Sequence, residues 1–191
     1  MGERDAVAAI LWRRLDRAGH EAAWLERLAG AWRLDGAAVF EHEGEACRLE
    51  YEVVCDDRWR TRTARIAGWI GTREIALAIE AGGERGWRLD DEPCPEVAGA
   101  VDIDLNFSPA TNLLPIRRLG LAIGAEAPVR AAWLRFPSFR LEPLEQTYRR
   151  TGESLYRYES AGGRFTAELA VDADGFPTLY PGFAERVAPR D

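Results

Sequence analysis

Apolar and polar residues alternate one for one along most of this chain, and a two-residue period suits a β-strand rather than a helix. The clearest run sets Val101, Ile103, Leu105 and Phe107 against Asp102, Asp104, Asn106 and Ser108. Successive side chains of a strand point to opposite faces, so this run has one dry face and one polar face. Leu49, Tyr51 and Val53 alternate with Glu50 and Glu52, and Trp59, Thr61 and Thr63 with Arg58, Arg60 and Arg62. Ile75, Leu77 and Ile79 form another face, as do Phe165, Ala167, Leu169 and Val171. Between the runs fall Asp35-Gly36, Glu43-Gly44, Gly82-Gly83, Gly162-Gly163 and Asp174-Gly175, which accept positive φ cheaply, as tight hairpin turns demand. The pattern predicts a mainly β fold, a meander of many short antiparallel strands.

Two segments need separate treatment. Near the N-terminus, Val7, Ile10, Leu11, Leu15 and Ala18 suit a helix, whereas Ile10 and Trp12, a turn at Ala18-Gly19, then Ala22 and Trp24 suit a hairpin. The all-β context decides for the hairpin. Residues 108–120 break the strand rhythm. Ser108-Pro109 resembles an N-cap with proline at the first helical position. Pro115 is expected to prevent a long helix by disrupting the turn before it. One or two short helical turns are predicted here, crossing from one part of the sheet to another.

A faint repeat runs through the chain. Ala22-Ala23-Trp24-Leu25 returns as Ala131-Ala132-Trp133-Leu134, Arg33-Leu34-Asp35 as Arg140-Leu141-Glu142, and Tyr51-Glu52 as Tyr158-Glu159. Hairpins of shared composition produce such matches by chance, but the nearly constant offset points to duplication. The expected organisation is a single domain over 1–191, with halves near 22–107 and 131–187 joined by a crossing segment, 108–130.

Composition narrows the partners. With 47% hydrophobic residues in 191, the chain can build a core without a disulfide or metal staple. A formal charge of −7 argues against nucleic acid or an anionic membrane surface as partner. All 25 basic residues are arginine, which rules out lysine Schiff-base chemistry. Cys47, Cys55 and Cys94 are odd in number and lack CxxC spacing, so they read as reduced thiols of a cytoplasmic protein. No secretory leader is evident, and no apolar run approaches the roughly 20 residues of a bilayer span, so integral membrane association is not expected.

Enzyme signatures are sparse. His20 and His42 have no partner spacing for a metal site or triad, and neither a GxSxG elbow, a P-loop nor a dinucleotide fingerprint occurs. No metal or cofactor is implied. Asp102 and Asp104, at i and i+2 on one strand face, lie about 6.5 to 7 Å apart at Cα, a spacing compatible with glycoside hydrolysis. Alternation alone yields the same pair as the wet face of a half-buried strand. Arg117 and Arg118 suit an anionic headgroup through bidentate hydrogen bonds, or an internal ion pair with Asp102 or Asp104. Thr111 and Asn112 could meet a ligand on the crossing loop, or serve local turn chemistry. Arg58, Arg60 and Arg62 form a basic face, solvated or anion-binding, and Trp59 or Trp133 could stack on a sugar or acyl chain beside a pocket.

These same stretches carry a family resemblance. The run Tyr51-Glu52-Val53-Val54-Cys55-Asp56-Asp57-Arg58-Trp59-Arg60-Thr61-Arg62 resembles one signature of the bacterial "Putative glycolipid-binding" family. Val101-Asp102-Ile103-Asp104-Leu105, Pro109, Thr111-Asn112 and Leu114-Pro115-Ile116-Arg117-Arg118-Leu119 resemble its second and most specific one, with Leu113 where the pattern is polar. Ala132-Trp133, Phe136-Pro137 and Tyr156-Arg157-Tyr158 are similar to its C-terminal half. The resemblance implies a strongly curved antiparallel sheet, a spiral β-roll or open barrel, with a duplicated half, akin to bacterial lipoprotein carriers whose curved sheet holds an acyl chain. Fold likeness does not transfer a function by itself.

Three readings follow. The first is a protein holding a small amphipathic ligand, a glycolipid or another lipid, in a curved-sheet cavity reaching the Asp102–Arg118 region. Arg117 or Arg118, Thr111, Asn112, Asp102, Asp104, Trp59 and Arg62 are then its ligand-binding candidates. The second is a hydrolase of sugars or glycolipids working through Asp102 and Asp104, which requires a carboxylate in a cleft free of arginine. The third is a structural module without ligand that forms a homodimer along exposed sheet edges.

Overall fold

The computed structural model describes residues 6–82 and 86–187. The described residues form one sheet of fifteen strands with a short α-helix. Strands β1 (Ala6–Arg14), β2 (Gly19–Leu28), β3 (Ala31–His42), β4 (Glu45–Asp56), β5 (Thr61–Ile70) and β6 (Arg73–Glu80) lead to the two-residue strands β7 (Arg88–Leu89) and β8 (Glu92–Pro93). After β9 (Asp102–Leu105), a 3₁₀ turn at Ala110–Asn112 runs into helix α1 (Leu113–Leu119). The chain ends with β10 (Glu126–Arg135), β11 (Arg140–Arg150), β12 (Leu155–Ser160), β13 (Phe165–Val171), β14 (Pro177–Tyr180) and β15 (Ala184–Arg186).

The strand order is β8-β7-β6-β5-β4-β3-β2-β1-β15-β14-β13-β12-β11-β10-β9. Each neighbouring pair is antiparallel except β9 and β10, which are parallel and joined through α1, as a parallel pair needs a crossover. The N-terminal segment is the expected hairpin, with Leu11 opposite Ala22 and Ile10 opposite Ala23. Consecutive strands β8 and β9 stand at the two ends of the sheet. Yet Thr61 N–H at the start of β5 donates to Val101 O (3.2 Å), and Ile103 N–H of β9 donates to Thr61 Oγ1 (3.0 Å).

Two apolar clusters sit on the faces. The larger gathers Trp12, Leu25, Leu34, Leu49, Ile66, Ile79, Ile103, Leu105, Phe107 and Leu113. The smaller joins Ile116 to Val129, Tyr148, Tyr156, Tyr158, Leu169 and Tyr180. Cys47, Cys55 and Cys94 are free thiols buried in the fold. Among the described residues, no helix is long and apolar enough to cross a membrane.

Several turn and strand expectations are corrected. Glu43-Gly44, Gly162-Gly163 and Asp174-Gly175 do turn the chain between strands, while Gly83 lies outside the described residues. Asp35-Gly36 does not. It sits inside β3, where Gly36 pairs with Tyr51 and a Cβ would meet the Tyr51 ring at 2.2 Å. The glycine makes room for a buried aromatic rather than bending the chain. Arg58, Trp59 and Arg60 form a turn, not a strand face, because Asp56 Oδ1 accepts from Arg58 N–H (3.0 Å) and Arg60 N–H (2.9 Å), and Trp59 has φ of 64°.

The crossing segment is helical as expected, with a different stop. Ser108 Oγ accepts from Ala110 N–H at 3.1 Å, but the 3₁₀ turn starts after Pro109, and the α-helix after Asn112. Pro115 lies in the first turn of α1, where an N–H has no intrahelical partner to lose, so it is tolerated. Gly120 ends the helix in a left-handed cap, donating to Ile116 O.

Candidate functional site

Strand β9 places Asp102 and Asp104 two residues apart, and their surroundings then separate them. Asp102 is 1% exposed and receives both arms of Arg118 from α1, Nε to Oδ1 at 3.0 Å and Nη2 to Oδ2 at 2.5 Å. Burial still raises its pKa, against the lowering by Arg118. Asp102 is therefore not the wet face of a half-buried strand: α1 lies over it. Asp104 is half-buried, with Gln146 Nε2 donating to Oδ2 at 2.6 Å and no arginine paired to it among the described residues. Burial pushes its carboxyl up to about 6, only partly offset by the Gln146 hydrogen bond.

A cavity of about 750 Å³ opens beside Asp104. Its wall is aromatic: Phe40, Trp133, Phe136, Tyr158, Phe165, Tyr180 and Phe183. The rings meet mostly edge to face, as Phe40 on Phe136 (5.4 Å), Tyr158 on Phe165 (6.0 Å) and Tyr180 on Phe183 (5.2 Å). Polar groups interrupt this wall at Asp104, Asn106, Ser108, Asn112 and Ser160.

A charged cluster from the β1–β2 turn completes it. Arg14, with 4% of its side chain exposed, lies 4.6 Å from the Phe40 ring centre and 4.8 Å from that of Phe183. It grips Asp16 through Nε (2.9 Å) and Nη2 (2.8 Å), and its Nη1 donates to Phe107 O at 2.7 Å. Arg17 donates to the same Asp16 at 2.8 Å, and its Nη1 lies 3.2 Å from His42 Nδ1. Burial would raise the Asp16 carboxyl, but the hydrogen bonds and charges of Arg14 and Arg17 outweigh it and hold the group below its ordinary value.

Beneath Ser108 lies a carboxylate that sequence reading did not single out. Glu21 is 1% exposed; Tyr51 Oη donates to its Oε1 at 2.7 Å, and Ser108 Oγ also hydrogen-bonds there. Oε2 is buried without a partner. Burial pushes Glu21 up to about 7, despite both hydrogen bonds and the charge of Arg14.

The remaining sequence candidates scatter. Asn112 reaches the aromatic cleft but is tied, accepting from Tyr148 Oη at 2.9 Å and donating to Pro109 O at 3.2 Å. Thr111 is buried, its Oγ1 accepting from Leu105 N–H at 3.1 Å, and lines neither large cavity. Trp59 and Arg117 border a second cavity of about 540 Å³ with Ile116, Arg150 and Tyr156. Arg117 lies 5.1 Å over the Trp59 ring, which stacks on Trp32 at 4.4 Å, with Arg27 over Trp32 at 4.4 Å. That ladder already engages the Trp59 ring expected to receive a sugar. Arg62 is exposed, 3.6 Å from Asp56. Asp102 and Arg118 line neither of these cavities.

Arg14, Asp16, Arg17, His42 and Phe183 were missed because they come from distant parts of the chain. The one local signal was the charge-dense hairpin turn at residues 13–17. Among the described residues, no group of three His, Cys, Asp or Glu side chains is placed to hold a metal ion.

Residues 9–186 match the family described as "Putative glycolipid-binding". A crystal structure of a DUF1089 family protein from Pseudomonas aeruginosa is similar over 87% of this chain and 91% of that one, with 35% identity and a TM-score of 0.75. Comparison with curated proteins gives no match.

Proposed function

This chain belongs to the "Putative glycolipid-binding" family, and from that premise we propose that it holds an amphipathic ligand, a glycolipid or another lipid, in the aromatic cleft beside Asp104. The observation that carries the reading is the cleft itself. About 750 Å³ falls within the range of roughly 300 to 1,000 Å³ typical of ligand pockets, and a mainly apolar wall with few polar groups is what such pockets share. Each methylene buried there contributes about 0.8 kcal/mol, so about ten are needed for the roughly 8 kcal/mol of micromolar binding, before the cost of immobilising the ligand. The contact site moves accordingly, away from Arg118 and Asp102 and toward Asp104, Trp133, Phe136, Phe165 and Tyr180.

A rolled sheet belongs to this reading, and the β8–β9 connection supports it. Fifteen strands laid flat span about 67 Å at roughly 4.8 Å per spacing. Residues 94–101, fully extended, bridge only about 30 Å between the two end strands. A sheet bent toward itself lets so short a segment connect its end strands, and the Thr61 bonds to Val101 and Ile103 fit that bend. The buried free thiols suit a reducing, cytoplasmic setting.

Native mass spectrometry of protein purified from cells tests the proposal. A lipid-sized adduct that disappears in Phe165→Asp is the expected result. Absence of any adduct, together with no binding of added dodecyl maltoside, would refute it.

A second reading has one observation in its favour: Asp104 sits in the cleft with no arginine partner among the described residues, and burial pushes its carboxyl up to about 6, as suits a general acid. Asp102 cannot complete a carboxylate pair, because Arg118 holds it. Hydrolysis of nitrophenyl glycosides, lost in Asp104→Asn, would establish this reading; no turnover in the wild type removes it.

A further inference from the structure

The cleft differs from the rest of the molecule in its charge. Arg14, Arg17, Arg135 and Arg164 line it against only Asp16 and Asp104, on a chain whose net formal charge is −7. Elsewhere acids crowd single arginines, as Glu26, Asp35 and Glu52 surround Arg33. In the cleft Arg135 has its own partner, Glu142 at 3.3 Å, but the other arginines are less well supplied. A single carboxylate, Asp16, serves both Arg14 and Arg17. Arg164, exposed in the turn between β12 and β13, donates to Ala161 O at 3.0 Å and has no carboxylate partner among the described residues.

Resting on the reading of this cleft as the ligand site, we propose that the polar end it receives is an anion, a carboxylate or phosphate carried on an alkyl chain, held by Arg17 and Arg164 with Arg14 fixed behind them. Three features favour this over a neutral sugar head. The guanidinium of Arg14 is locked between two phenylalanines by bonds to Asp16 and Phe107, so its charge needs no ordering when the ligand arrives. Arginine offers planar N–H pairs that match carboxylate and phosphate oxygens. The remaining acid on the wall is Asp104, so arginines outnumber carboxylates there. Apolar contact then runs along Phe136, Phe165, Tyr180 and Phe183, as the glycolipid reading also requires.

Calorimetric titration of the delipidated full chain near neutral pH, with monomeric dodecyl phosphate, laurate and dodecyl maltoside, tests this. Both anions are expected to bind at least about tenfold tighter than the maltoside, and added salt to narrow the gap. Arg17→Gln and Arg164→Gln should each weaken the anions several-fold and the maltoside much less, so that the anion-to-maltoside ratio falls. Arg164→Gln alters one exposed hydrogen bond, so it keeps the comparison open should Arg17→Gln fail to fold. Dodecyl phosphate above laurate identifies a phosphate head, and the reverse order a carboxylate. Maltoside binding as tightly as the anions, or anion affinity indifferent to Arg164→Gln, overturns the inference while sparing the cleft. Binding of none of the three overturns both.

Discussion

Glu21→Gln should make the protein's stability much less sensitive to pH. Glu21 lies under the cleft floor with Oε2 unpartnered, and burial pushes its pKa from 4.5 to about 7. In the unfolded chain the group titrates near the ordinary value, so between the two the folded protein keeps a proton that the unfolded chain has released. The stability this group contributes is therefore full below 4.5 and is lost as pH rises through 7. Between about pH 5 and pH 8 the loss integrates to about 2.5 kcal/mol, at 1.36 kcal/mol per unit. Glutamine retains an acceptor for Tyr51 and Ser108 and carries no charge. Urea unfolding of both proteins at both pH values is the assay. The variant should gain on the wild type by about 2.5 kcal/mol from the lower pH to the higher. Asp102 and Asp104 also titrate upward, but they do so in both proteins and cancel in the difference. Parallel pH profiles would refute the assignment of this cost to Glu21.

Other substitutions separate structural roles from ligand roles. Arg118→Ala leaves Asp102 buried and unpaired and should cost about 3 to 5 kcal/mol in urea unfolding, whereas Asp102→Leu with Arg118→Met should recover most of it. Gly36→Ala drives a Cβ into the Tyr51 ring, which its bond to Glu21 prevents from stepping aside; a loss of about 1 to 3 kcal/mol and a lowered Tm are expected. Thr111→Val removes the acceptor for Leu105 N–H and should destabilise by about 1 to 3 kcal/mol while leaving dodecyl maltoside affinity unchanged in titration.

Strands were legible wherever one face packs on the core, because burial enforces the alternation. Ile103, Leu105 and Phe107 are buried as their spacing demanded. The opposite face misled, since Asp102 reads as solvated until α1 and Arg118 cover it. Local signals failed where tertiary contact overrode them. Asp35-Gly36 has turn chemistry, yet Tyr51 needs its space, and the Arg58–Arg60 arginines look like a strand face until Asp56 caps their backbone. The cleft was the least legible part, because it draws Arg14, Phe40, Asp104, Trp133, Phe165 and Phe183 from strands and turns that only the sheet order brings together.

The proposed duplication meets a more specific constraint. In the first hairpin Trp24 faces Asp35 and Leu25 faces Leu34; in the other Trp133 faces Glu142 and Leu134 faces Leu141. The two hairpins thus share a register, as the proposed duplication requires. Their third strands differ: Tyr51 faces Gly36 on β3, but Tyr158 faces Tyr148 on β11. The repeat offset would place the tyrosine opposite residues near 143 rather than 148. A copied hairpin whose following strand slid along its neighbour accounts for both observations, and the slide has a consequence for the cleft. It sets Tyr158 against Gln146 and Tyr148, over Asp104, whereas Tyr51 packs inward on Glu21 and Ser108. One tyrosine then builds the wall of the cleft and its counterpart the support beneath, so on this account the site comes from the departure from symmetry, not from the repeat.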